Sequence, residues 1–178
     1  MVAILQTVGA PTQADFHEAI SNRSDRWFAA CLRITRNRDL AEDAVQDALL
    51  SAWNKRNQFD NSARLETWIH RIAVNSALQL LRKNRPQAFE SLEMDVPDNS
   101  NSPEAAQHDL DIHDELSSAL GSLSAMERVC FVLKHLEQWR LKEISEEFDI
   151  SISAVKQAVF RAVSKLRVRL DSMQGEQT

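Results

Sequence analysis

WRLKEISEEFDISISAVKQAVFRAVSKLRVRL, residues Trp139 to Leu170, contains two helical patterns that meet across a short break. In the first, Leu141, Ile144 and Phe148 recur at three- and four-residue spacing, with Lys142, Glu143, Glu146 and Glu147 on the other side. In the second, Ile152, Val155, Val159, Ala162, Val163 and Leu166 make an apolar stripe of the same period, opposite Lys156, Gln157, Arg161, Lys165, Arg167 and Arg169. Asp149-Ile150-Ser151 is the break, and Ser151 reads as an N-cap whose hydroxyl accepts from the free amides of the next turn. Two short amphipathic helices joined this way predict a helix-turn-helix. The second helix carries five basic side chains and no acid. Such a helix suits a major groove, where cations meet phosphates along its length and short polar side chains near its start reach base edges. A helical hairpin with its charged face in water is the alternative left open by this stretch alone.

The rest of the chain fits an all-α protein. It has 178 residues, only three glycines and four prolines, and a length that permits one ordinary domain or two small ones. No apolar run approaches a membrane span, and the opening MVAILQTVGA lacks the basic start of a signal peptide. Cys31 and Cys130 each fall within an apolar helical pattern, which predicts reduced core residues of a cytoplasmic protein rather than a disulfide or metal pair. His17, His70, His108, His113 and His135 are scattered, and no phosphate loop, nucleophile elbow or zinc motif appears. The expectation is no catalytic residue, no metal and no cofactor.

The formal net charge of −5 argues at first against a nucleic-acid partner. Its distribution reverses that. Nine carboxylates and no Lys or Arg lie between Pro86 and Leu116, so the remainder of the chain carries a formal +4. Pro86, Pro97 and Pro103, with PDNSNSPE, interrupt any helix there. The reading is two small, mildly basic helical domains, 1–85 and 116–178, joined by an acidic flexible linker at 86–115.

The first domain holds at least three helices. Asp15 to Ile34 is helical, with a break expected near Ser21-Asn22. Asp39 to Lys55 is the cleanest, with Leu40, Ala44, Val45, Ala48, Leu49, Ala52 and Trp53 expected to face inward. Asp39, Glu42, Asp43 and Asp47 then fall on or near one exposed face, a flank suited to a basic partner as well as to solubility. The loop Asn57 to Ser62 precedes a helix from Ala63 to Lys83 that carries Arg64, Arg71, Asn75, Gln79, Arg82 and Lys83 outside an apolar side. Basic and amide groups beside a polar loop suit a single-stranded nucleic acid, with Trp68 expected in the core rather than as a stacking platform.

Three segments in order carry a resemblance that spans about Asp15 to Leu170: RDLAEDAVQDALLSAW (Arg38 to Trp53), FDNSARLETWIHRIAVNSALQLLRK (Phe59 to Lys83) and, after the acidic linker, EISEEFDISISAVKQAVFRAVSKLR (Glu143 to Arg167). Together they resemble an extracytoplasmic-function (ECF) sigma factor, the minimal two-domain type of the sigma-70 family of bacterial RNA polymerase. The resemblance implies that the first domain is the region-2 helical bundle and the second the region-4 helix-turn-helix. Asp39, Glu42 and Asp43 match the family's acidic motif and, with Asp47, imply contacts to the clamp helices of the polymerase β′ subunit; the β flap is the further contact expected on core polymerase. Phe59, Asp60, Asn61 and Ser62, with Asn75 of RIAVN, match the place where such factors capture a flipped base of the −10 element. Arg71, Arg82 and Lys83 would then meet the DNA backbone. Ser153, Lys156, Gln157 and Arg161 occupy the positions that read the −35 element as duplex, where Gln suits adenine and Arg or Lys suits guanine. Lys165 belongs to the same basic face as a phosphate contact. The implied function is transcription initiation: binding core polymerase, recognising both promoter elements and promoting melting by binding energy, without covalent chemistry. Implied partners are core polymerase and promoter DNA, with an anti-sigma factor as a further one and no insertion into a membrane.

The sequence departs from the family pattern at three places. Asp149 stands where the turn usually has Gly, which predicts a left-handed Asp. Ala158 replaces an Arg that commonly follows Gln157, so the −35 preference does not carry over. Gln138-Trp139-Arg140 replaces a Gly-containing turn, which predicts a longer helix or a Trp139 exposed to a partner. The rival reading is a helix-turn-helix regulator that acts without polymerase docking. It explains Glu143 to Leu170 but not the acids of the Arg38–Trp53 segment.

Overall fold

Thr12 opens the first helix by closing a capping box with Asp15, in which the Asp15 amide donates to the Thr12 hydroxyl (3.3 Å) and the Thr12 amide donates to the Asp15 carboxylate (2.7 Å). The computed structural model describes residues 9–84 and 111–175, and among them every regular element is helical. Helix α1 (Gln13–Thr35) leads through a left-handed Arg36 (φ 51°) into α2 (Arg38–Asn54), whose N-cap Asn37 accepts from the Leu40 amide at 2.9 Å. A 3₁₀ turn at Arg56–Gln58 and an open loop then precede α3 (Leu65–Asn84). The second bundle holds α4 (Asp111–Gly121), α5 (Ala125–Phe131), a π-helical turn (Val132–Leu136), α6 (Leu141–Phe148) and α7 (Ile152–Gly175). Of the expected linker, 86–110 lies outside the described residues and the remainder opens α4.

Helices α1, α2 and α3 pack against one another around Trp27, Cys31, Ile34, Ile69, Leu78 and Leu81. The buried stripe of α2 is almost pure alanine: Ala41, Ala44, Ala48 and Ala52 are fully inaccessible. Small side chains let the helix backbones approach closely, so α2 gains contact from its neighbours' large residues rather than its own. Of the expected inward face, Ala44, Ala48 and Ala52 are buried and Val45 and Leu49 pack against the core, while Trp53 departs from it. Trp53 is 37% exposed and Leu50 64%, and Phe16 meets Trp53 edge-on with ring centroids 5.2 Å apart. The break expected near Ser21-Asn22 is absent, because α1 buries apolar residues on one face continuously from Phe16 to Ile34. Neither polar residue there is required to turn the chain.

In the second bundle the core is built from Leu120, Leu123, Val129, Leu133, Ile144 and Val155, with α5 and α7 the closest pair. Ser124 and Glu127 form a second capping box at the start of α5. The break between α6 and α7 is as the sequence predicts. Asp149 adopts φ 52°, ψ 43° and ends α6, and the Ala154 amide donates to the Ser151 hydroxyl at 3.1 Å. Ile152, expected in the apolar stripe, is instead 42% exposed, and Ala158 takes a buried place. Cys31 and Cys130 are both buried free thiols, and burial pushes each up to about 12. No described helix is long and apolar enough to cross a membrane.

The two bundles meet along α3. The Arg71 guanidinium pairs with Glu143 at 2.8 Å and lies over the Trp139 ring at 4.8 Å. Arg82 pairs with Glu147 at 3.0 Å, donates to the Glu147 carbonyl at 2.6 Å and lies over the Phe148 ring at 4.6 Å. His70 Nε2 contacts the carboxylate of Glu137. From the other side Arg128, fully buried, sends its Nε–H toward the Ile34 carbonyl at 3.4 Å. Trp139 is therefore only 7% exposed, in a turn that Gln138 makes possible with φ 59°. Neither a longer helix nor an exposed Trp139 results.

Candidate nucleic-acid interface

Helix periodicity places Asp39, Asp43, Gln46, Asp47, Leu50 and Trp53 on one stripe of α2, and all six are exposed. Its first half is acidic and its second apolar. Glu42 lies beside the stripe and pairs with Arg38 at 2.8 Å, both side chains about half exposed (46% and 56%). All four carboxylates singled out from the sequence are thus on the surface. Leu50, which the sequence reading passed over, is the most exposed apolar residue of α2.

The loop after α2 is held by short-range geometry. The Ser62 amide donates to Asp60 Oδ1 at 3.0 Å, an Asx turn, and this contact holds the Asp60 carboxyl below the usual carboxylate range. Asn61 sits at φ 58°, a conformation its short polar side chain tolerates. Phe59 packs on Trp68 with ring centroids 5.2 Å apart, leaving both half-buried. Phe59 and Asn61, with Pro11, Arg64 and Leu65, line a cavity of about 320 Å³, within the range of roughly 300–1,000 Å³ typical of ligand sites. Asp60 and Ser62 form the exposed turn and do not line the cavity.

Trp68, Arg71, Asn75, Gln79 and Arg82 recur at three- and four-residue intervals along one stripe of α3. The structure does not bring Asn75 to the loop cavity; its Oδ1 is buried without a hydrogen-bond partner. Arg71 and Arg82 are engaged by Glu143 and Glu147, while Lys83 is exposed. The face expected to meet DNA is the face that α6 covers. Glu143 is held below its ordinary value by the Arg140 amide and then by Arg71.

On α7, Ser153, Lys156, Gln157 and Arg161 are all exposed on the side away from the core, as the sequence predicts. Phe160 stands among them with 73% of its surface exposed. An apolar residue in a periodic helix reads as core, so sequence reasoning missed it. Lys165 is placed differently from the others. It pairs with the buried Glu127 carboxylate at 3.0 Å and is only 35% exposed, which makes it a tie between α7 and α5. Arg169 donates to the Ser118 hydroxyl at 3.0 Å.

An acid-flanked helix, a polar loop on an aromatic pair and a helix with an exposed basic face define a helical protein of two bundles with surfaces suited to nucleic acid. Known proteins make the class specific. Residues 21–87 match Sigma-70 region 2 and residues 113–166 match Sigma-70, region 4. The chain is 30% identical over 165 residues to the RNA polymerase sigma factor CarQ of Myxococcus xanthus, covering 92% of this chain and 94% of that protein. It is 27% identical over 168 residues to the ECF RNA polymerase sigma factor SigW of Bacillus subtilis, covering 89% and 90%. Among solved structures it is similar to the sigma factor RpoE in complex with the anti-sigma factor NepR from Bartonella quintana. That likeness has a TM-score of 0.60 at 25% identity, over 88% of this chain and 97% of that one. The chain belongs to the sigma-70 family as an ECF RNA polymerase sigma factor, a transcription initiation factor.

Proposed function

We propose that this sigma factor docks on core RNA polymerase through the α2 stripe, captures an unstacked −10 base at the Phe59–Ser62 loop and reads the −35 duplex with α7. The observation that carries the docking assignment is the composition of that stripe. Asp39, Asp43 and Asp47 are exposed beside Leu50 and Trp53, a pattern that suits a basic helical partner with an apolar centre. The clamp helices of β′ are that partner in this reading, and the β flap receives the second bundle.

The loop cavity takes the base, and Phe59 on Trp68 offers an aromatic wall for it. Asp60 and Ser62 keep the turn in shape, while Arg71, Asn75, Arg82 and Lys83 follow the strand. Arg71 and Arg82 become available only when α6 leaves α3, so promoter binding requires the two bundles to part. On α7, Gln157, Lys156, Arg161 and Ser153 read base edges. Phe160 adds an apolar contact of the kind that thymine methyl groups accept. Lys165 is reassigned to the fold.

No step in this account makes or breaks a covalent bond; melting is driven by preferential binding of the opened state. The factor acts in the cytoplasm, and an anti-sigma factor is a fitting further partner, by analogy with the Bartonella quintana complex. Charge reversal at Asp39, Glu42 and Asp43 tests the reading. Loss of co-purification with core polymerase, with helical content unchanged, supports it; undiminished co-purification contradicts the docking face.

A further inference from the structure

A second cavity, about 110 Å³, lies between α1 and the start of α3, lined by Arg23, Arg26, Arg64 and His70 over the buried Trp27. Arg23 and Arg26 are one turn apart on α1, both exposed, and neither has an ion-pair partner among the described residues. Arg64 is 80% exposed and only 3.7 Å from Glu66, the single carboxylate in the cavity wall. Three guanidiniums against one carboxylate leave the cavity cationic. The Nδ1 of His70 is buried with no hydrogen-bond partner, while its Nε2 is held by Glu137. A buried polar atom without a partner is an unmet demand.

The cavity is not isolated. Arg64 and Glu66 line it and also line the loop cavity of Phe59 and Asn61, so the two open side by side. Guanidinium forks match phosphate oxygens in pairs, and surface arginines strung along a path suit a polyanion better than a small captured ion. We propose that this cavity is a second nucleic-acid subsite, which takes the backbone phosphates of the unpaired promoter strand next to the base held at the loop. The proposal rests on the reading of that loop as the −10 capture site. Arg64 serves both cavities, and Arg23 and Arg26 carry the strand onward across α1.

The test uses holoenzyme assembled from the full chain and core polymerase, with single strands from a promoter it initiates on. One strand ends at the captured base; others extend a few nucleotides beyond it on either side. By fluorescence anisotropy one extended strand should bind more tightly than the short one and with a steeper salt dependence. In Arg23→Ala/Arg26→Ala that advantage disappears and the log–log salt slope falls by about 1.4, at about 0.7 per phosphate contact for single strands. Arg23→Lys/Arg26→Lys retains most of both.

The same affinity of wild type and the alanine variant for every strand would overturn the proposal, as would an equal loss on short and extended strands. Saturable binding of inorganic phosphate to the free chain, lost in the alanine variant without any effect on strands, would identify a small-anion site and overturn the strand assignment. Failure of the loop reading looks different: Asp60→Ala and Asn61→Ala would then leave binding of the short strand unchanged.

Discussion

Replacing Glu143 and Glu147 with glutamine should open the joint between the bundles. Glutamine keeps the side-chain volume and removes the charge that Arg71 and Arg82 meet at 2.8 and 3.0 Å. The four side chains are between 29% and 54% exposed, so screening by water sets the scale. Partly exposed pairs are worth about 0.2–1 kcal/mol each, which makes the double change worth about 0.4–2 kcal/mol. That corresponds to a shift of roughly 2–30-fold in the ratio of open to closed chains. The stacking of Arg71 on Trp139 and of Arg82 on Phe148 remains, as does the bond from Arg82 to the Glu147 carbonyl, so the joint weakens rather than vanishes.

Fluorescence transfer between dyes at Glu18→Cys on α1 and Lys142→Cys on α6 reads the change directly. The native thiols stay unlabelled, because Cys31 and Cys130 are buried and pushed up to about 12. The glutamine variant should show lower transfer than wild type at low salt. Added salt should bring wild type toward the variant. Acid should act in the same direction. Glu143 is lowered in the folded protein, so the stability it contributes is present above 4.5 and is lost as the pH falls below that toward the depressed value. Identical transfer in both proteins, unchanged by salt, would refute the reasoning and leave α6 held by its aromatic contacts and the bond from Arg82 to the Glu147 carbonyl.

Leu78 is fully buried where α3 meets α1 and α2, so Leu78→Ala should cost about 2–5 kcal/mol in urea unfolding. A loss under about 1 kcal/mol would mean that the site collapses around the cavity. Phe160→Ala, on a residue 73% exposed, should leave thermal stability nearly unchanged and lower −35 discrimination by about 1–3 kcal/mol at one thymine-containing pair; a uniform drop over all sequences would make Phe160 a non-specific contact. Asp60→Ala removes the acceptor of the Ser62 amide. It should weaken open-complex formation on duplex more than on a pre-melted bubble, and an equal loss on both would contradict a role in melting.

Local patterns reveal the helix-turn-helix in the sequence because its signals are short-range. The three- and four-residue period of Leu141, Ile144 and Phe148, the Ser151 cap and the tolerance of Asp149 for a left-handed turn each involve neighbours within one turn. The exposed acids of α2 are legible for the same reason. Its buried side is not, since a hydrophobic reading ranks Trp53 and Leu49 above Ala41, whereas close helix packing needs the alanine. Ile152 fails in the same way, since an apolar residue reads as core and only the neighbouring helices decide which side is covered, and the exposed Leu50 and Phe160 drew no expectation at all. The joint between bundles is least legible. His70 with Glu137, Arg71 with Glu143 and Arg82 with Glu147 are partners some 65 to 72 residues apart, and nothing local in either segment names the other. Trp139 is buried by that same joint, under a guanidinium that the sequence alone assigns to DNA.

Transcription in a purified system bears most directly on the account. Core polymerase supplemented with this chain alone, free of any antagonist, should give a run-off product of defined start from a subset of promoters, and the product should vanish when Asp39, Glu42 and Asp43 are reversed in charge. Polymerase that initiates no differently with the chain than without it would contradict the assignment of both bundles to the enzyme and to the template.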